Sequence, residues 1–165
     1  MSPKFARKLA VGAALLAAGT VGILGRGGRE QAAAPSGTAF VQRVVDGDTV
    51  VLAGGERVRY IGVDTPELHH PTKPVQPYAR EASEFNRRLV EGKPVRLEYD
   101  VQRRDRYGRL LAYVYLEDGT FVNAELVRQG YAQLLTIPPD VKHADLFVRL
   151  QKEAREAGRG LWGKK

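Results

Sequence analysis

FVQRVVDGDTVVLAGGERVRYIGV, residues 40 to 63, places three short apolar runs between turn signals. Residues 40–45, 49–53 and 57–63 are rich in β-branched side chains. Asp46-Gly47-Asp48 and Gly54-Gly55, which separate them, are residues that close hairpins. Three strands in a meander are predicted, and alternation along the third puts Arg59, Ile61 and Val63 on one face. Downstream, Ala79 to Val90 spaces Ala82, Phe85, Leu89 and Val90 at helical intervals with charges between them, and Gly92 ends the pattern. Residues 94–99 and 110–116 read as two more strands, followed by an Asp118-Gly119 turn. Residues 122–129, stopped by Gly130, and 140–157, stopped by Gly158, read as helices. Five strands, three helices and no internal repeat predict an α+β, mainly β, domain: a small Greek-key barrel with helices packed around it.

The 165 residues and 43% hydrophobic content suit one soluble domain with a tail. Net charge is +7, which suggests a polyanionic partner, but much of it is local. Residues 1–40 contain Lys4, Arg7, Lys8, Arg26 and Arg29 against Glu30 alone, so the remainder, with 21 basic and 18 acidic residues, carries only about +3. Charge alone does not make this chain a nucleic-acid binder. The absence of cysteine excludes disulfides, thiolate metal sites and cysteine nucleophiles. At the N-terminus, Lys4, Arg7 and Lys8 precede an uncharged Ala/Gly/Leu stretch, residues 9–25, whose length of roughly 26 Å as a helix suits either a signal peptide or a membrane anchor. The Ala32-Ala33-Ala34 site precedes Pro35 and is poor for cleavage, and the positive flank puts the domain outside the cytoplasm, anchored or secreted. Residues 1–25 are thus a targeting segment, 26–37 a Gly/Ala/Pro-rich tether and 38–165 the domain.

Three pieces of the domain carry chemistry. Asp46-Gly47-Asp48-Thr49, taken alone, is a hairpin turn. Arg59-Tyr60-Ile61-Gly62-Val63-Asp64-Thr65-Pro66-Glu67 ends a strand in two carboxylates around Thr-Pro, where Pro66 removes a backbone donor. That end is either an acidic loop or a carbonyl and two carboxylates suited to a hard cation. Asp105-Arg106-Tyr107-Gly108-Arg109 is either a charged surface turn or a source of guanidinium for phosphate. Two arginines with a cation and a base would form a complete hydrolytic set. His69, His70 and His143 share no spacing and read as loop or cap histidines, and Tyr113 and Trp162 as core.

The order DGDT, R-x-x-x-x-D-T-P-E, D-x-Y-G-R and FVNAELVRQGYA resembles the staphylococcal nuclease (thermonuclease) family from about Val41 to Trp162. That resemblance implies an OB-fold barrel and calcium-dependent hydrolysis of DNA and RNA by a monomer, leaving 3′-phosphates. It implies Asp48, Asp64 and the Thr65 carbonyl as ligands of one Ca²⁺, Glu67 as the group that positions or deprotonates water, and Arg59 and Arg109 as phosphate clamps. Asp46 would support this centre, and Lys73, Arg106 and Tyr107 would contact the nucleic-acid backbone. In one departure, Leu134-Leu135-Thr136-Ile137-Pro138 stands where well-studied family members carry two base-flanking tyrosines, a contact worth roughly 1 to 3 kcal/mol. The Pro138-Pro139 pair falls near a family loop proline. The competing reading is a non-catalytic OB-fold module that binds nucleic acid or protein, and occupation of all six positions of the centre favours the enzyme.

Overall fold

The computed structural model describes residues 37–69, 72 and 74–163. Strand β1 (Gly37–Asp46) is followed by β2 (Thr49–Leu52), β3 (Arg57–Tyr60) and the two-residue β4 (Val63–Asp64). Helix α1 (Ala79–Val90), β5 (Pro94–Glu98), β6 (Leu110–Leu116), α2 (Val122–Arg128), β7 (Gln133–Leu134), α3 (Ala144–Glu156) and a 3₁₀ turn (Gly160–Trp162) complete the order. Five strands close a barrel in the order β1-β2-β3-β6-β5. Every pairing in it is antiparallel except β3 with β6. Five mixed strands with three helices give the OB-type, mainly β architecture expected.

The ten residues of β1 serve two neighbours. Gly37 to Phe40 pair with β5, whereas Val41 to Asp46 pair with β2 through two register shifts, the local irregularities that let a strand bend around a small barrel. Inward-facing Val41, Val50, Val58, Val95 and Val114 form the core with Tyr113, Leu126 and Phe147. Trp162, expected in that core, is only partly buried, and its guanidinium neighbour Arg155 lies 4.2 Å over the ring. Along α1, Ala82, Asn86 and Val90 form the buried stripe, and Glu84, Arg87 and Arg88 face outward.

Two expected elements are shorter than their sequence pattern by more than one residue. The third strand stops at Tyr60 rather than Val63, because Gly62 turns the chain with φ 80°. A Cβ there would lie 2.3 Å from the Phe147 ring, so only glycine fits both the dihedral and the space. Arg59, Ile61 and Val63 therefore do not continue one strand face. Val63 and Asp64 instead pair with Leu134 and Gln133 in a separate two-stranded sheet. Helix α3 starts at Ala144, four residues later than expected, since Asp140 is held outside the helix. Its N–H donates to the Ile137 carbonyl, and its carboxylate accepts the Gln102 N–H at 2.8 Å. His143 takes the N-cap position and touches Glu98 at 3.0 Å. The Pro138–Pro139 bond is cis.

No helix among the described residues is long and apolar enough to cross a membrane. Residues 9–25, Lys73 and His70 lie outside the described residues.

Candidate active site

Asp48 sits in the turn between β1 and β2, and its buried carboxylate joins three separate segments. Its Oδ2 accepts the Thr65 N–H at 2.8 Å and the Thr65 hydroxyl at 2.9 Å, and lies 3.2 Å from Arg59 Nη2. Oδ1 accepts the Thr49 hydroxyl at 3.0 Å. A buried carboxylate is tolerable only when so fully bonded. The turn is tight because Thr65 fills the space over Gly47, where a Cβ would come within 2.7 to 2.8 Å of its side chain.

Arg59 is held as firmly. Nη1 donates to the carbonyls of Tyr60 (2.8 Å) and Val63 (2.7 Å), which the Gly62 turn brings together, and Nη2 donates to Asp64 Oδ1 at 2.9 Å. One guanidinium nitrogen thus lies between Asp48 and Asp64, so the two carboxylates converge where positive charge belongs. Burial pushes the Asp64 carboxyl up and Asp48 adds to this, which together outweigh the pull of Arg59. Glu67 is exposed beside them. Partial burial and the charges of Asp46, Asp48 and Asp64 push its carboxyl above its ordinary value, against the opposing charge of Arg59. Such a field is that of a cluster with more negative than positive charge.

Two buried asparagines frame this centre without having been singled out in the sequence. Asn86 on α1 accepts the Tyr60 hydroxyl at 3.1 Å and donates to the Asp46 carbonyl at 3.3 Å. Asn123 on α2 donates to the Ile61 carbonyl at 2.9 Å and accepts the Val114 N–H at 3.0 Å. The available signal was a polar residue inside an otherwise apolar helical stripe. His69, read as a loop histidine, places Nδ1 3.2 Å from Asp46 Oδ1.

The second arginine comes from the turn before β6. Asp105 Oδ1 accepts the N–H groups of Tyr107 (2.9 Å) and Arg109 (3.0 Å), and Oδ2 accepts Arg109 Nε at 2.7 Å. Burial would raise the Asp105 carboxyl, but these bonds hold it below its ordinary value. With Nε held, neither terminal amino group of Arg109 has a hydrogen-bond or ion-pair partner among the described residues. Arg106 stacks 4.8 Å over the Tyr107 ring and donates to its hydroxyl at 2.6 Å.

A cavity of about 480 Å³ brings Arg59, Arg106, Tyr107 and Arg109 together. Leu111, Leu135 and Ile137 form its apolar wall, the last two from the segment that departs from the family's tyrosines. Asp48, Asp64, Thr65 and Glu67 do not line it, and Arg59 alone belongs to both the acidic cluster and the cavity. Among the described residues, no three acidic or histidine side chains are grouped as a metal cage. The hard oxygens of Asp48 and Asp64, converging on one cationic group, nevertheless fit a loosely held calcium-type ion completed by other ligands.

The profile described as Staphylococcal nuclease homologue matches residues 57–164. The chain is 45% identical over 126 residues to a thermonuclease of Staphylococcus intermedius, covering 74% of each chain. A thermonuclease of Staphylococcus hyicus is 43% identical over 128 residues, covering 76% of this chain and 75% of the relative. Endonuclease YncB of Bacillus subtilis (strain 168) is 42% identical over 129 residues, covering 75% of this chain and 61% of the relative.

Proposed function

The chain belongs to the staphylococcal nuclease family, and on that premise we propose that it is a calcium-dependent endonuclease that hydrolyses phosphodiester bonds of DNA and RNA and leaves 3′-phosphates. The observation that carries this reading is Arg59, which joins two converging carboxylates to a cavity that also holds Arg109. Asp48, Asp64 and the Thr65 carbonyl would hold Ca²⁺. When bound, the ion supplies positive charge against the phosphate oxygens and the attacking water.

The chain's own residues divide the remaining work. Glu67, with its carboxyl raised by burial and neighbouring charge, accepts a proton from water as the new P–O bond forms. The P–O5′ bond breaks, and its oxygen takes a proton from solvent. Arg109 offers two terminal amino groups to the phosphoryl oxygens while Asp105 fixes its Nε, and Arg59 adds fixed positive charge at the cavity edge. Tyr107 and Arg106, which line the same cavity as Arg59 and Arg109, would contact the nucleic-acid backbone, and Asp46 would support the acidic cluster. Lys73 is proposed from the sequence alone as a further phosphate contact.

Purified protein should release acid-soluble nucleotides from DNA and RNA in Ca²⁺ and stop when a chelator is added. Mg²⁺ should support little hydrolysis, since a small octahedral ion that dehydrates reluctantly fits a sparse oxygen site poorly. Full activity in Mg²⁺ with calcium chelated would overturn the metal assignment, and DNA binding without hydrolysis in Ca²⁺ would favour a binding module. The sequence of residues 1–25 supports a location outside the cytoplasm, with the domain anchored through residues 9–25 or released by cleavage. The mass of the mature N-terminus separates these, and a start after residue 25 excludes the anchor. A monomer is proposed, to be checked by its mass in solution.

A further inference from the structure

Glu67 lies between β4 and α1, outside any helix or strand. Two residues earlier, Thr65 is anchored to Asp48 through its N–H and its hydroxyl, whereas Pro66 has no N–H to offer. Among the described residues, the hydrogen bonds of Glu67's own backbone go to a single residue. The Glu67 N–H donates to Oε1 of Gln76 at 3.1 Å, and the Glu67 carbonyl accepts the Gln76 N–H at 3.1 Å. Gln76 therefore closes a two-bond ring around position 67, using its side chain where a neighbouring strand would use a carbonyl. It is itself tied to α1, because its carbonyl accepts the Ala79 N–H at 3.1 Å. Helix α1 is in turn fixed to the barrel by Asn86, through Tyr60 and the Asp46 carbonyl. A continuous line of bonded groups runs from the barrel through α1 and Gln76 to Glu67.

We infer that Gln76 is a positioning residue that holds Glu67 where its carboxylate can take a proton from the attacking water. This rests on Glu67 being the base. The Gln76 bond to Glu67 is solvent-exposed, so water can replace it with little effect on folding. Catalysis is less forgiving, because displacing a reacting group by on the order of 1 Å can cost about 100-fold in rate. Stability and turnover should therefore respond differently to loss of this one side chain.

The test is a set of variants assayed in Ca²⁺. Gln76→Leu keeps the reach of the side chain and removes the acceptor, whereas Gln76→Glu keeps an acceptor oxygen. Gln76→Leu should lower kcat by about 10- to 100-fold. KM for DNA and the calcium giving half-maximal rate should stay within about twofold, and the melting temperature within a few degrees. Gln76→Glu, assayed well above the carboxylate pH range, should recover most of the rate. In a Glu67→Gln background, Gln76→Leu should cost no more than about twofold, since no base is left to position. An unchanged kcat for Gln76→Leu, an equal loss in the Glu67→Gln background, or a fall in kcat that tracks a fall in melting temperature would overturn the inference. Normal turnover by Glu67→Gln alone would instead overturn the assignment of the base.

Discussion

Glu67→Gln should lower kcat by about 10² to 10⁴ while the domain folds and binds nucleotide as before. The substitution keeps the shape of the side chain, and its backbone bonds to Gln76 involve no carboxylate atom of Glu67. What disappears is basicity. In the parent chain, burial and the charges of Asp46, Asp48 and Asp64 make this carboxyl a stronger base than an ordinary glutamate, and Gln cannot take a proton at all. A second variant separates this role from metal binding. Asp64→Asn weakens one of the two carboxylates that converge beside Arg59, so its loss should be partly recovered by raising calcium. Glu67→Gln should show no such recovery. A calcium titration of turnover for both variants, with calcium-dependent binding of a nucleotide inhibitor alongside, makes the comparison. Parental turnover by Glu67→Gln would mean that the base lies elsewhere.

Arg109→Lys should be nearly as damaging as Arg109→Ala, each lowering kcat by about 10² to 10³. The geometry around Asp105 is the reason. Arg109 uses Nε to hold Asp105 Oδ2 and keeps two terminal amino groups for an anion, so a single planar group serves both contacts. An ammonium has one nitrogen. Lysine at 109 could remain with Asp105 or reach a phosphate, but could not do both in the directions of the guanidinium. Folding should change little, because Asp105 keeps the main-chain N–H groups of Tyr107 and Arg109. Single-turnover cleavage rates at saturating calcium read the effect directly. A lysine variant within threefold of the parent would show that net charge suffices at this position.

The parts of the fold legible in the sequence are those set by local chemistry. The bounds of α1 and β6 agree with the sequence pattern to the residue, although the buried face of α1 runs through Ser83 and Asn86 rather than Phe85 and Leu89. The elements that escaped depend on contacts between distant segments. The third strand carries an unbroken β-like pattern through Val63, yet Gly62 breaks it, and the Phe147 ring that demands glycine there lies 85 positions further along. Asp140 looks like the start of a helix until its carboxylate is seen to hold Gln102. The β4 and β7 strands are two residues each, too short for any periodicity. At the centre, the motif order singled out Asp48, Arg59, Asp64, Thr65, Glu67 and Arg109, and the fold brings the first four into direct contact. Gln76 is not legible, because an amide in a loop that binds backbone carries no sequence pattern of its own, and Asn86 and Asn123 show only as polar residues on buried helix faces.

Gly47 extends that lesson to the reading of related chains. Its missing side chain leaves the space that Thr65 fills above Asp48. One added methyl group would have to displace either the turn carrying Asp48 or the segment carrying Thr65, and both are proposed donors to calcium. A lineage could therefore fall silent through a single alanine at this turn while every acid and arginine of the centre still stood in place. An inventory of charged residues would count such a descendant as an enzyme. The glycine between the two aspartates belongs in any test of competence by sequence, as a position where the absence of atoms is itself the requirement.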